Sequence, residues 1–481
     1  MKDLKENAIR GGFAKLCAQM ANAMLQIGSL MILARLLSPS DFGLIAMVMS
    51  LVGVLNLFRD FGLSTATVQR TSVTDEQIST LFWINILVAL TLTCVALVCA
   101  PLVAVFYHEP RLLLITTVLA FGFLINATGI QHSALLQRQM RFAVLALIET
   151  LSLLTGVAVG IGMAFLGVEY WALVGMTLTT PAIYSASVWF ASGWIPGPPR
   201  RRAGIGSMVR TGGIVTANGL VAYAAYNLEK VLLGRFWGAD ALGIYGRAYQ
   251  LINIPTENLN SAVGGVVLSV LSRVKEEPDR LRNYFLKGYS LLVAVTLPIT
   301  AACALFSNDL IFVMLGPQWS EAAPIFRLLA PTILIFGMIN PLWPLMLALG
   351  LLVRSFKMAL VLAPLVMAGY LIGLPWGPKG VALGFSIAMT LWVVPHIAWG
   401  VHGTVVSLKD IMTSISRPLL STIVASIPAA GVAFFLFESA SPLLRLIVGI
   451  LILVFVYVGM LLYVMNQRAL YLDVIRGLKT G

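Results

Sequence analysis

Glu229 and Lys230 stand side by side in AYNLEKVLLGRFWGADALG (225–243), between two long apolar runs. An ionisable group deep in hydrocarbon costs at least ~2.5–3.5 kcal/mol on insertion scales, so a chain that keeps one uses it to bind or move something charged. Neighbours on a helix point about 100° apart, which keeps this acid and this base from pairing with each other. Two polar stripes carry related chemistry. Lys15, Gln19, Asn22, Gln26 and Ser29 recur at helical spacing near the N-terminus. Arg247, Gln250, Asn253, Glu257 and Ser261 recur in similar phase, with Pro255 able to bend that helix. In hydrocarbon such stripes must face protein or water. Glu257 is the most deeply placed charge, and Glu149 is a shallower one. Inside the apolar runs the bases (Lys15, Lys230, Arg247, Arg327) outnumber the acids (Glu149, Glu229, Glu257), which suits an anionic substrate such as a phosphate or diphosphate.

Each feature also has a plainer reading. Lys230, Arg247 and Arg327 lie within two turns of a helix end, from which long side chains snorkel to the interface. The Gln/Asn stripe also reads as interhelical hydrogen-bond glue. Arg35 and Arg235 read as helix-end anchors and Arg59–Asp60 as a local pair at the interface. The four histidines (His108, His132, His396, His402) are scattered and read as packed or interfacial. Cys17, Cys94, Cys99 and Cys303 all fall inside apolar runs without metal-ligand spacing, so no disulfide is expected. No HExxH, GxSxG, phosphate-loop or CxxC pattern occurs. Neither an enzyme nor a cofactor is expected, and any energy must come from ion gradients, membrane potential or the substrate's own gradient.

The elements that hold these residues follow from composition. Of 481 residues 59% are hydrophobic and 11% charged, more apolar surface than a soluble fold buries. Long unbroken apolar runs exclude a β-barrel. The N-terminus mixes both charge signs and has no cleavage site after a short apolar core, so it does not read as a removable signal peptide. A 20-residue window gives fourteen expected spans: 13–36, 42–58, 80–106, 112–131, 142–166, 171–194, 208–234, 242–270, 284–306, 323–349, 355–374, 380–401, 413–437 and 443–465. The second is short and continues past Arg59–Asp60 as a kinked or interfacial helix. The longest outer loop is 307–322. With both termini cytoplasmic, 23 of the 32 basic residues fall in inner connections and five in outer ones. That bias is the positive-inside pattern, and it accounts for the net charge of +12 without any nucleic-acid partner.

The chain also repeats. ARLLSPSDFGLIA (34–46) and GRFWGADALGIYG (234–246) align without a gap at an offset of 200, matching Arg35 to Arg235 and Gly43 to Gly243. Each copy closes one helix and opens the next. The offset sets Glu229 over Ser29, on the polar stripe, and Lys230 over Leu30, so Glu229 is expected to face the interior while Lys230 shares a face with Asn227 and Tyr223. Six helices per copy is an even number, so both copies enter the membrane in the same sense. The expected architecture is all-α: a lobe at 1–200, a second at 201–405 beyond the hinge IPGPPRRRAGIG (195–206), and a helix pair with a cytoplasmic tail at 406–481. Two parallel lobes facing each other is a transporter plan.

ARLLSPSDFGLIAMV, DFGLSTATVQR (60–70), STLFWIN (79–85) and NLEKVLLGRFWGADALGIYGRAYQL (227–251) resemble the polysaccharide flippase branch of the MATE/MOP superfamily, nearest to Wzx-type exporters of the colanic-acid kind. The likeness is densest in spans one, two, seven and eight and fades over the last third. The resemblance implies flipping of an undecaprenyl-diphosphate-linked oligosaccharide from the cytoplasmic to the periplasmic leaflet of the bacterial inner membrane, by alternating access, for surface polysaccharide biosynthesis. It implies work among membrane lipids and beside other polysaccharide-assembly proteins. It places the diphosphate in a cationic cavity, a role that falls here on Lys15, Lys230 and Arg247. Where the family carries Asp before a basic or polar residue this chain has Glu229–Lys230, which keeps the acid but lengthens its reach. Moving about two negative charges outward across an inside-negative ~100 mV releases roughly 4–5 kcal/mol. Proton or sodium coupling, with protons on Glu257 or Glu149, would reset the empty carrier. The alternative on the same fold is cation-coupled multidrug export, which calls for an uncompensated acid in the first span, where the stripe carries Lys15 and none. A lipid-linked glycan polymerase or ligase calls for a large outer loop that is missing, and a scaffold leaves the repeat unexplained.

Overall fold

The computed structural model describes residues 2–59, 73–199, 206–274, 276–433 and 441–468. Among these every regular element is helical. The first six helices are α1 (Lys2–Leu36), α2 (Pro39–Asn56), α3 (Asp75–Tyr107), α4 (Arg111–Arg138), α5 (Phe142–Phe165) and α6 (Trp171–Ser192). The long segment Gly206–Arg273 is two helices, α7 and α8, divided at Gly238. After them come α9 (Pro278–Leu305), α10 (Ser307–Met314), α11 (Ala322–Leu329), α12 (Pro331–Ile339) and α13 (Leu342–Ala348). The chain closes with α14 (Leu352–Gly373), α15 (Gly377–Val401), α16 (Leu408–Gly431) and α17 (Pro442–Gly459). Eight helical stretches of the described residues are long and apolar enough to cross a membrane. Their outward side chains match that solvent, with Leu87, Val98 and Phe455 all exposed.

Local chemistry starts several helices. Ser38 Oγ accepts the Asp41 backbone N–H at 3.3 Å while the Asp41 carboxylate accepts the Ser38 N–H at 2.9 Å. This capping box satisfies donors that a helix start otherwise leaves bare in an apolar setting. Thr74 with Gln77 and Ser407 with Asp410 repeat it at α3 and α16.

Packing divides the chain into two compact units, Met1–Gly243 and Ile244–Gly481. In the first, α1 packs on α5, α5 on α6, α6 on α4, and α4 on α2 and α3. At one end of it the buried His132 lies against Trp189 at 4.3 Å, with Nδ1 2.8 Å from Ser192 Oγ. There the connection after α6 is strapped down, since Trp83 Nε1 donates to the Gly197 carbonyl (2.9 Å) and the Gly197 N–H to Ser79 Oγ (3.0 Å). In the second unit α14 crosses α15 through two G-x-x-x-G faces, Gly369 and Gly373 meeting the backbones of Gly384 and Gly380. α9, α16 and α17 share a core of Phe306, Ala425, Ala429, Leu453 and Tyr457. Two arginine clamps pin this group. Arg282 grips both carboxylate oxygens of Asp410 (3.0 and 2.7 Å), and Arg445 grips both of Asp309.

One expectation changes, and a second, the apolar span at 323–349, is met by Ala322–Ala348 with internal breaks. The loop expected at 307–322 instead contains α10 and a 3-10 turn at Pro317–Trp319, with Trp319 fully buried. Eight residues fall far below a span-length window, so hydropathy passes over them. The span expected at 323–349 is the three pieces α11–α13. Prolines at 331 and 341 remove backbone donors, yet Ala330 (φ −52°, ψ −38°) and Asn340 (φ −63°, ψ −35°) stay helical, so the run kinks without turning back. The continuation expected past Arg59–Asp60 and the Arg200–Arg202 stretch lie outside the described residues.

Candidate functional site

Within the first unit the two copies of the repeat cross at their turns. A Cβ on Gly43 would overlap the Ala239 carbonyl, and one on Gly243 would overlap the Pro39 carbonyl. The contact is reciprocal: residues 39 and 43 meet 243 and 239, each pair exchanging roles at the same offset. That is the signature of a twofold-related interface, and only glycine allows so close an approach. The turns themselves differ. Ser38 carries a side-chain cap, whereas Gly238 makes the second turn at φ 82°, ψ −177°, a conformation open essentially to glycine alone.

One turn deeper sits the polar cluster. The Tyr223 hydroxyl donates to the carbonyls of Met49 (3.2 Å) and Ser50 (3.4 Å) on α2. Ser50 Oγ is 3.0 Å from the Tyr107 hydroxyl and donates to the Met47 carbonyl at 2.6 Å. Beside this group Glu229 is fully buried, and among the described residues neither carboxylate oxygen has a hydrogen-bond partner. Lys230 does not turn to it. Its Nζ donates to Asn227 Oδ1 at 2.6 Å, and Asn227 Nδ2 donates in turn to the Tyr223 carbonyl at 3.0 Å. The helical separation expected from adjacency is what the side chains show: the lysine lies back along its own face, half-buried, and the acid is enclosed. A buried carboxyl without donors is costly in either protonation state and persists only where something compensates it.

The other expected residues distribute as follows. Lys15 belongs to α1, but its side chain lies outside the described residues. Asn22 is half-buried, with Oδ1 enclosed and without a hydrogen-bond partner among the described residues, while Gln26 is exposed. Ser29, which the offset pairs with Glu229, is buried and donates to the Gln26 carbonyl at 2.9 Å. In the second unit Arg247 donates to Gln250 Oε1, one turn on along α8. Tyr245 and Tyr249 stack beside them at 6.1 Å, and Tyr249 meets Phe385 of α15. Glu257 and Glu149 are exposed, the latter near the Tyr184 hydroxyl, which donates to Ser133 Oγ at 2.8 Å. Arg35 is exposed. Arg327 donates to Ser307 Oγ at 2.8 Å, tying α11 to α10. Cys94, Cys99 and Cys303 are free thiols. Ser50 and Tyr107 were not foreseen, because 57 residues separate them and only packing joins them.

With this geometry the comparisons fall into place. A family model described as "Polysaccharide biosynthesis protein" matches residues 32–324. The teichuronic acid biosynthesis protein TuaB of Bacillus subtilis (strain 168) is 28% identical over 385 residues, 78% of either chain. The lipopolysaccharide biosynthesis protein WzxC of Escherichia coli (strain K12) is 24% identical over 395 residues, 81% of this chain and 80% of that one. Among solved structures, the lipid II flippase MurJ in an inward closed conformation superposes with a TM-score of 0.74 at 15% identity, over 94% of this chain and 99% of that one. An inward-facing multidrug resistance MATE family transporter of the MOP superfamily gives 0.65 at 12% identity, over 84% and 99%. The helical fold is therefore the one these transporters share. The family model spans more than half of the sequence, and the chain belongs to the polysaccharide biosynthesis protein family.

Proposed function

We propose that the protein is a flippase of the bacterial inner membrane that carries an undecaprenyl-diphosphate-linked oligosaccharide from the cytoplasmic to the periplasmic leaflet. The observation that carries this reading is the pairing of family membership with an enclosed carboxylate at Glu229, without a partner among the described residues, beside a tethered lysine. Polysaccharide biosynthesis requires a large polar glycan to cross the bilayer on a lipid anchor. A chain with no nucleotide-binding motif must draw on charge movement and ion gradients to drive it.

In this reading fourteen helices, both termini cytoplasmic, form two six-helix lobes (1–200 and 201–405) and a C-terminal pair (406–481). The reciprocal crossing at Gly43 and Gly243 supports a twofold relation between the lobes. Lys15, Lys230 and Arg247 grip the diphosphate, and Asn22, Gln26 and Gln250 supply hydrogen bonds around it. Lys230 exchanges its Asn227 partner for a phosphate oxygen when substrate arrives. Glu229 is the coupling acid: carrying a proton it rests in its enclosed site, and losing that proton it demands water, a cation or Lys230, which favours a different arrangement of the helices around it. Glu149 and Glu257, being exposed, serve as secondary acids on the proton's path.

A deletion strain tests the reading. It should accumulate lipid-linked oligosaccharide on the cytoplasmic face and lose surface polysaccharide, with unchanged drug sensitivity. Normal surface polysaccharide with no trapped intermediate overturns the proposal, and drug hypersensitivity alone transfers it to multidrug export.

A further inference from the structure

α3 ends at Tyr107 and α4 begins at Arg111, and the junction between these two membrane-length helices holds a groove of about 580 Å³. Pro101, Val105 and Leu113 line its walls, and His108, Glu109 and Pro110 stand at its mouth. The walls are exposed as well as apolar, Val105 by 73% and Leu113 by 42%, and none of the described residues covers them. The mouth is polar and unevenly charged. Glu109 is matched by Arg111, which reaches its two carboxylate oxygens at 2.8 and 2.9 Å and holds the carboxyl below its usual range. Arg235, arriving from the end of α7, has no such match. Its Nη1 donates to His108 Nδ1 at 2.9 Å, and its guanidinium lies 5.6 Å from the Phe106 ring and 5.9 Å from the Phe236 ring. No carboxylate among the described residues pairs with it.

A guanidinium within cation–π reach of two aromatic rings at a membrane boundary keeps most of its five N–H donors for another acceptor. Because His108 Nδ1 accepts from Arg235, its Nε2 carries the hydrogen and is a further donor at the same mouth. The site therefore offers one uncompensated positive charge, several donors and an apolar slot of membrane-facing surface. We propose that this groove is a binding site for an anionic phospholipid of the surrounding leaflet, one acyl chain lying along Pro101, Val105 and Leu113 and the phosphodiester on Arg235 and His108. The charge count selects this occupant: one guanidinium balances one phosphodiester, whereas a lipid diphosphate would be left about half neutralised. Arg235 lies three residues before the Gly238 turn, so the lipid steadies the helix crossing from outside while the transported molecule is handled within.

The test uses purified full-length protein in detergent, with phosphatidylglycerol as probe and phosphatidylcholine of the same chains as control. Native mass spectrometry should show one tightly retained phosphatidylglycerol, with thermal stabilisation by phosphatidylglycerol and little by phosphatidylcholine. Arg235→Gln removes the charge and Val105→Trp fills the slot. Each should weaken phosphatidylglycerol retention by about tenfold, the scale of one lost charge-assisted contact. Retention of phosphatidylcholine should follow Val105→Trp alone. Equal stabilisation by both lipids, or unchanged phosphatidylglycerol retention in Arg235→Gln, overturns the proposal. Full displacement of phosphatidylglycerol by an equal amount of undecaprenyl phosphate does so too, since it assigns the groove to the carrier lipid.

Discussion

At Ser38 the chain turns into α2 through a capping box; 200 residues on, Gly238 makes the matching turn with no side chain at all. The contrast continues along the preceding helices. Ser29 and Glu229 are both buried, but the serine is satisfied by the Gln26 carbonyl and the carboxylate by none of the described residues. Leu30 is buried where Lys230 is half-buried and hydrogen-bonded. Arg35 is exposed, and Arg235 is half-buried between its contacts with His108 and two phenylalanines. Backbone geometry is thus shared closely enough for Gly43 and Gly243 to meet reciprocally, while ionisable chemistry is concentrated in the second copy. Duplication supplies the frame; divergence inside it supplies the charge.

The largest effect should come from the charge. Glu229→Leu is expected to reduce flipping by about tenfold or more, some 1.4 kcal/mol in a rate, while thermal stability holds or rises because an unpartnered buried carboxyl is removed. Flipping in vesicles and thermal unfolding of the same preparation check this. A Leu variant that flips normally breaks the contrast between the copies. Next comes the shared frame. Gly43→Val and Gly243→Val should each destabilise by about 1–3 kcal/mol, since a side chain drives into the opposing carbonyl in both. Similar losses in two thermal unfolding curves sharpen the reciprocity, and a large loss in only one refutes it.

Effects of similar or smaller size separate the turns. Gly238→Ala places a Cβ at φ 82° and should cost about 1–3 kcal/mol, against about 1 kcal/mol for Ser38→Ala, which loses only a cap. Smallest is a change outside the repeat. Arg282, donating to Asp410, holds that carboxyl well below the usual carboxylate range, so the ion pair stabilises the fold at neutral pH. Its contribution fades as pH falls below the ordinary carboxylate value of about 4 toward the lower folded one. Asp410→Asn should therefore lower the melting temperature slightly at pH 7, progressively less in acid and less in high salt, and leave flipping unchanged.

Much of this was legible because its signals are local. Long apolar runs specify membrane-length helices, and the gapless offset of 200 by itself pairs Glu229 with Ser29. The hydrogen-bonded run from Lys230 through Asn227 to Tyr223 follows helical spacing. Ser50 with Tyr107, and His108 with Arg235, are illegible for the opposite reason: 57 and 127 residues separate them, and no periodicity encodes which helices will touch. Helix α10 was hidden by its length, and the kinks of α11–α13 were written in Pro331 and Pro341 but lost under a hydropathy average. The G-x-x-x-G pairs of α14 and α15 were readable motifs that a count of apolar residues alone passes over.

The central claim is that the second copy's buried acid, and not the duplicated frame, couples movement to a gradient. Proteoliposomes loaded with a fluorescent undecaprenyl-diphosphate oligosaccharide, with flipping followed across an imposed pH difference, test it most directly. The account predicts that wild-type flipping responds to the pH difference, and that Glu229→Gln is slow and indifferent to it, whereas Ser29→Ala stays close to wild type. A Glu229→Gln protein that keeps the full pH response would contradict it.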